Sequence, residues 1–146
     1  MRTSSSPSSL RQALTRYVEA RSAALFEARR ELKIGEADAR ALLFIADHPG
    51  TRPTQLSEYL GITSAGVTAM IDRLIDRGVV RREVDAKDRR VIRITATIDV
   101  AEDPWASLTR FDSDFDSAIA DGYADQTEEL AAVLHSIMET TLSGSR

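Results

Sequence analysis

The spacing of apolar residues along the chain predicts a mainly helical protein. Apolar positions recur at three-, four- and seven-residue intervals from Leu10 to Leu32, which indicates one long amphipathic helix. A second helix is expected over 35–50, where apolar side chains cover nearly the whole circumference and a Pro-Gly pair ends the segment. Helical spacing returns after Pro104 and continues towards the C-terminus. A core of packed helices is therefore expected.

Residues 51–78 carry the pattern of two helices joined by a tight turn. Pro53 suits a first helical turn, Gly61 suits the turn between the helices, and Thr63 or Ser64 can cap the second helix. Ser57 is the small residue that a close crossing of two helices requires. The apolar stripe of the second helix is formed by Val67, Met70, Ile71 and Leu74. Together these features predict a helix-turn-helix.

Two short runs, 79–84 and 91–97, alternate between apolar and polar residues and are joined by residues 85–90. Period-two alternation predicts a half-buried β hairpin, and its tip is basic. A helix-turn-helix followed by such a hairpin is a winged helix-turn-helix. In this architecture the second helix fits the major groove of DNA, and the hairpin reaches the backbone and the minor groove, where arginine is favoured.

The charge distribution agrees with a polyanion-binding face in the first two-thirds of the chain. The formal net charge is −4. Residues 52–96 hold nine Lys/Arg against six Asp/Glu, residues 1–51 hold eight against six, and residues 97–146 hold two against eleven. The acidity therefore belongs to the C-terminal third, away from the predicted hairpin.

Composition excludes several classes of protein. The chain has no cysteine, and its two histidines, His48 and His135, have no close group of acidic residues around them. We expect no metal, no cofactor and no catalytic set, and hence no enzyme. No apolar run reaches the roughly 18 residues of a membrane span. The first nine residues are polar, unlike a signal peptide, so a cytoplasmic protein is expected.

Four segments resemble the MarR family of bacterial transcription regulators. They are "ARALLFIADHPG" (39–50), "PTQLSEYLGI" (53–62), "VTAMIDRLIDRGVV" (67–80) and "DRRVIRIT" (88–95), together with the serine that opens the recognition helix, Ser64. The family's Asp-x-Arg motif in the wing matches Asp88 and Arg90. The motifs match over 35–97, whereas the flanking helices resemble the family only in their order and length.

The resemblance implies a homodimer whose first and last helices interleave, with two winged lobes reading a pseudo-palindrome in double-stranded DNA. It implies a regulator, most often a repressor, that a small effector releases. We accordingly expect a flexible arm (1–9), a dimerisation helix (10–34), a DNA-binding winged helix-turn-helix (35–97) and C-terminal dimerisation helices (98–146).

On the recognition helix, Ser64 and Thr68 are expected one turn apart on the exposed face, where they can bond base edges or phosphates. Ser64 can alternatively act only as a helix cap. Ala65 and Ala69 are expected either to contact thymine methyl groups or simply to permit close approach. Arg73 is a phosphate candidate whose rival partners are Asp72 and Asp76 on the same helix.

In the wing, Arg89 and Arg90 are the principal candidates for contact with the minor groove or backbone, and Lys87 and Arg93 are secondary phosphate candidates. Asp88 would repel phosphate, so we expect it to hold an arginine or to cap the turn. The resemblance also implies a crevice for a small aromatic effector, for which the candidate lining residues are Tyr17, Phe26, Phe44 and Trp105.

An alternative function is a winged-helix module that binds proteins and has lost DNA binding. The net acidic charge favours it, as do two departures from the family pattern. The family often has a basic residue where this chain has Ala69, and Gly66 is unusual in a recognition helix. A third departure, "ITATIDVAEDPW" (94–105) in place of the family's Leu-Thr-x-x-Gly, leaves open the path into the C-terminal helices.

Overall fold

The protein is mainly helical and carries a two-stranded β hairpin, which confirms the expected fold class. The computed structural model describes residues 8–144. In chain order the elements are α1 (Ser9–Leu32), α2 (Glu36–Asp47), α3 (Pro53–Leu60), α4 (Ser64–Asp76), β1 (Val80–Val84), β2 (Ile92–Ala96), a 3₁₀ helix (Trp105–Leu108), α5 (Arg110–Gly122) and α6 (Ala124–Ser143). They form two compact units, divided in the chain between Thr109 and Arg110.

The long first helix begins at a capping serine. The Ser8 side chain accepts a hydrogen bond from the backbone N–H of Arg11, which satisfies one of the free donors of the first turn. Helical structure thus starts at Ser9, inside the segment expected to be a flexible arm, and residues 1–7 of that arm lie outside the described residues. The helix ends at Lys33, whose φ of 52° is left-handed.

The core of the first unit lies where α2, α3 and α4 meet the hairpin. Ala41, Leu42 and Ile45 of α2 are fully buried, in agreement with its nearly continuous apolar surface. Leu56 of α3 and Ile94 of β2 are equally buried. The apolar stripe expected on α4 is buried as a whole and comprises Val67, Met70, Ile71 and Leu74. This packing fixes the opposite face of α4 towards solvent.

The hairpin is antiparallel, with Val80 opposite Ala96 and Val84 opposite Ile92. Its base is buried, because Val80 lies in the core, whereas Val84 is 57% exposed. An isolated bridge between Thr51 and Ile94 joins β2 to the segment that precedes α3. The hairpin is therefore anchored at its base and leaves the core towards its tip.

Beyond the hairpin, the short 3₁₀ helix contacts α1 and buries Leu108. In the second unit, α5 and α6 contact each other, yet none of their residues is classed as buried. Within residues 8–144, no helix combines the length and apolarity that a membrane crossing requires.

Candidate nucleic-acid interface

The turn that starts the recognition helix α4 is closed by two side chains and a glycine. Gly61 has a φ of 66°, a left-handed conformation that glycine adopts without steric cost. The Ser57 hydroxyl donates to the carbonyl of Ile62 at 2.6 Å, and the Thr63 hydroxyl accepts from the backbone N–H of Gly66 at 3.1 Å. Thr63 is thus the cap of α4. The Ser64 hydroxyl is not needed for that role.

Gly66 belongs to the same capping turn. A Cβ atom at this position would lie 3.3 Å from the Thr63 Oγ1 atom and within 4 Å of the Ile62 side chain. Such a contact is tight, and it falls on the oxygen atom that caps the helix. The capping turn therefore explains why position 66 is a glycine, and this glycine is not an argument against DNA binding by α4.

The solvent-facing side of α4 carries the four small residues expected there, Ser64, Ala65, Thr68 and Ala69, all exposed. The Thr68 hydroxyl donates to the carbonyl of Ser64 at 3.0 Å and keeps a free lone pair. The exposed side chains of the first two turns of the helix are therefore small and uncharged, and they offer close approach and hydroxyl groups.

Asp85 organises the wing loop. One carboxylate oxygen accepts the backbone N–H groups of Lys87 (2.8 Å) and Asp88 (3.2 Å), and the other accepts Arg93 Nε at 2.5 Å. The hydrogen bond from Arg93, followed by those from the two backbone N–H groups, lowers the pKa of Asp85 to about 2. The carboxylate therefore stays ionised at neutral pH and holds the loop in one conformation.

Asp88 holds Arg90, one of the two roles expected for it. Its carboxylate accepts the backbone N–H of Arg90 at 3.0 Å and the guanidinium through Nε at 3.1 Å and Nη2 at 3.3 Å. The side-chain hydrogen bond from Arg90 is the largest cause that lowers the pKa of Asp88. The Arg90 side chain nevertheless remains 91% exposed. The pair thus orients the guanidinium without burying it.

The other wing candidates divide into free and engaged side chains. Lys87 and Arg89 are exposed, and within residues 8–144 their side chains have no ion-pair partner. Arg93, in contrast, donates to Asp85 and, through Nη1, to the carbonyl of Gly50 at 3.1 Å. Arg93 joins the wing to the segment between α2 and α3, and its donors serve the fold.

Arg73 is bound to neither of the two rival partners expected for it. Its Nη2 and Nε donate to the two carboxylate oxygens of Asp38 in α2 at 2.7 and 3.0 Å. These hydrogen bonds and the attraction of the opposite charge raise the pKa of Arg73 above its ordinary value. Asp72 pairs instead with Arg82 of β1 at 2.8 Å.

Comparison with known proteins finds a family that resembles the region of the helix-turn-helix and the wing. A family model described as MarR family matches residues 33–91, from the end of α1 to the wing. Over this region the chain is similar to the MarR family. The match covers the capped recognition helix and the loop that Asp85 organises. No curated protein matches the chain in sequence.

The MarR-family fold extends beyond the region that the family model matches. Similar solved structures include the reduced form of MarR from E. coli (20% identity, TM-score 0.60, 91% of this chain and 98% of that chain). They also include the S. aureus MepR–DNA complex (20%, 0.54, 92% and 99%) and the regulator Tm0710 from Thermotoga maritima (26%, 0.57, 90% and 98%). About nine-tenths of this chain thus shares the fold of these structures.

The four aromatic residues expected to line an effector crevice make separate contacts. The Phe44 ring stacks between His48 (4.2 Å between centroids) and Tyr59 (4.4 Å). Trp105 lies under the guanidinium of Arg77. On α1, Tyr17 is half-buried and Phe26 is 59% exposed. A shared crevice for these residues stays a prediction.

One basic residue near the wing was missed by sequence reasoning. Arg52 is exposed at the cap position of α3, and its positive charge helps to lower the pKa of Asp88. It therefore lies close to the wing although 36 residues separate it from Asp88 in the chain. A basic residue directly before the proline that opens a helix-turn-helix was the available signal.

Proposed function

We propose that this chain is a transcription regulator that binds double-stranded DNA as a homodimer. The observation that carries the proposal is the pairing of two exposed surfaces on one lobe. One is formed by the small, uncharged residues that the first two turns of the recognition helix expose, and the other is a wing tip that presents Lys87, Arg89 and an oriented Arg90.

The two surfaces match the two kinds of DNA contact. In the major groove, Ser64 and Thr68 can exchange hydrogen bonds with base edges or phosphates, and Ala65 and Ala69 can lie against thymine methyl groups. At the wing, the arginines suit the backbone and the minor groove, where the negative potential is strongest. Arg52 is proposed as an additional phosphate contact because it is exposed and follows Thr51, which bridges to Ile94 in the hairpin.

The homodimer is supported by apolar side chains that the isolated chain leaves in water. In the second unit the exposed large apolar residues are Phe115, Tyr123, Leu130, Val133, Ile137, Met138 and Leu142, and on α1 they are Leu10, Val18 and Phe26. Exposed apolar surface of this extent marks an interaction site. Interleaved terminal helices of two copies would cover it and would present two winged lobes to a pseudo-palindromic site.

Repression, release by a small aromatic effector and a location in the cytoplasm with the DNA are further parts of the proposal. They rest on the resemblance to the MarR family. The alternative, a winged-helix module that binds proteins, keeps two arguments, which are the net acidic charge and the lack of a basic side chain at Ala69. Its third argument is weaker because Gly66 is explained by the capping turn.

The test is binding of the purified full chain to its own upstream DNA, measured by fluorescence anisotropy at low salt. A homodimer that binds this DNA at least about a thousandfold more tightly than a scrambled duplex would support the proposal. A folded dimer that binds neither the upstream DNA nor heparin would refute it and would favour the protein-binding module. Loss of binding on raising the salt concentration is the expected signature of phosphate contacts.

A further inference from the structure

The recognition helix is fastened to the rest of its lobe by two arginines four residues apart. Arg73 donates two hydrogen bonds to the carboxylate of Asp38 in the first turn of α2. Arg77, the residue that caps α4, donates Nη1 to the carbonyl of Lys33 at 2.7 Å and Nη2 to the carbonyl of Leu32 at 2.6 Å. Both partners lie at the corner between α1 and α2.

Arg77 satisfies groups that a helix end leaves open. The last carbonyls of an α helix have no partner inside the helix and carry its negative partial charge. A guanidinium that donates to two of them makes charge-assisted hydrogen bonds in a planar fork that lysine cannot reproduce. The guanidinium also lies 5.7 Å above the ring of Trp105 in the 3₁₀ helix, where a cation–π attraction adds to its fixed position.

The ion pair of Arg73 is stabilised by the burial of its partner, Asp38. The Asp38 side chain is only 13% exposed, whereas that of Arg73 is 56% exposed. Without Arg73 a largely buried carboxylate would lose its partner, which is costly. Because of this cost, we expect Arg73 to stay bound to Asp38 when DNA binds.

We propose that Arg73 and Arg77 are positioning residues that set the angle between the recognition helix and α1, and thereby the separation of DNA half-sites that the dimer accepts. The inference rests on the proposed function, in which α1 joins the two copies. The 24 residues of α1 span about 36 Å at 1.5 Å per residue. A rotation of about 10° at the corner would therefore move its far end by about 6 Å, which exceeds the rise of one base pair.

The experiment compares Arg77→Ala and Arg77→Lys with the wild type on duplexes whose half-site spacing is shortened or lengthened by one base pair. Arg30→Ala is the matched control, because Arg30 lies near the same end of α1 and its ion pair among residues 8–144 is with Glu27, at 2.6 Å. We expect Arg77→Ala to reduce the preference for the correct spacing at least about fivefold, the lower end of typical coupling between sites. Arg77→Lys should be intermediate, and Arg30→Ala should keep the wild-type preference.

The salt dependence separates positioning from phosphate contact. A positioning residue leaves the slope of log K against log salt unchanged, whereas loss of one phosphate contact per chain lowers it by about 1.8 in a dimer. Arg77→Ala with a lower slope and an intact spacing preference would overturn the proposal. So would an unchanged slope with an unchanged preference. If Arg77→Ala does not fold, the spacing preference of Arg77→Lys decides between the same outcomes.

For Arg73 the decisive measurement is a double-mutant cycle with Asp38. If Arg73 acts through Asp38, Arg73→Gln and Asp38→Asn each relax the spacing preference, and the double variant is no worse than either. If Arg73 contacts phosphate instead, Asp38→Asn releases it and strengthens binding, which would overturn its positioning role. A wild-type chain that binds no DNA would refute the proposed function itself. The emission of Trp105, the single tryptophan, reports loss of the Arg77 contact in the absence of DNA.

Discussion

Removal of the Arg89 charge should change DNA binding and leave folding unchanged. The side chain is exposed at the wing tip and has no partner within the described residues. Each phosphate neutralised contributes about 0.9 to the slope of log K against log salt. A dimer has two wings, so Arg89→Ala should lower the slope by about 1.8. Between 50 and 200 mM salt, the loss of affinity would then be about twelvefold smaller than in the wild type.

The wild-type slope can be bounded in the same way. Residues 52–96 hold nine Lys/Arg, which would give a slope of about −16 for a dimer if all contacted phosphate. At the wing tip only Lys87, Arg89 and Arg90 present their charge outward. Six such cations per dimer predict a contribution of about −5.

The assay is fluorescence anisotropy of a labelled operator duplex at four or more salt concentrations, with urea unfolding as the measure of stability. Arg89→Lys keeps the charge and should retain the slope, and its free energy of unfolding should stay within about 0.5 kcal/mol of the wild type, as for Arg89→Ala. The assignment of Arg89 to phosphate would be refuted by an Arg89→Ala variant with the wild-type slope.

Three further predictions concern the stability of the lobe. Ile94→Ala removes a fully buried side chain and should lower the free energy of unfolding in urea by about 2–5 kcal/mol. Val84→Ala, on the exposed part of the same hairpin, should lower it by less than about 1 kcal/mol, and equal losses would contradict the anchoring of the hairpin at its base. Gly61→Ala places a side chain at a φ of 66° and should lower the free energy of unfolding by about 1 kcal/mol. Gly122→Ala, at a helical position without a positive φ, should be neutral or slightly stabilising, and an equally stable Gly61→Ala variant would show that the turn is not left-handed. The pKa of Asp85 is lower in the folded chain than its ordinary 3.8, so its stabilising contribution is present above about pH 4 and lost as the pH falls through about 2. The loss of stability caused by Asp85→Asn should therefore shrink over that pH range. A loss that stays constant would refute the role of the Asp85 charge.

The elements of the lobe could be predicted because their signals are local. The stripe of α4 repeats at helical spacing, and the hairpin alternates with a period of two, so burial of Val67 and Ile94 follows from a few neighbouring residues. The cap was left open between Thr63 and Ser64. The choice depends on which hydroxyl reaches the N–H of Gly66, and that is decided by backbone dihedral angles.

The partners of the charged side chains could not be predicted in the same way. Arg73 meets a carboxylate 35 residues earlier in the chain, and Arg93 meets a carbonyl 43 residues earlier. For Arg73, the rival partners Asp72 and Asp76 were closer in sequence. Only the packing of α2 against α4 and β2 decides between them. Asp85 was overlooked for the opposite reason, since its bonds are local but the Asp-x-Arg motif drew attention to Asp88.

Two groups of arginines in this lobe therefore have different physical roles. Those whose partners are distant in the chain, Arg73, Arg77 and Arg93, use their donors to hold helices and strands together. Those at the wing tip have, among the residues that the structure describes, either no ion-pair partner or a local one, and they remain exposed. A formal count of charge cannot separate the groups because both raise it equally. Counterion release counts only cations that reach phosphate, so an acidic chain can bind DNA through a few side chains on a rigid loop.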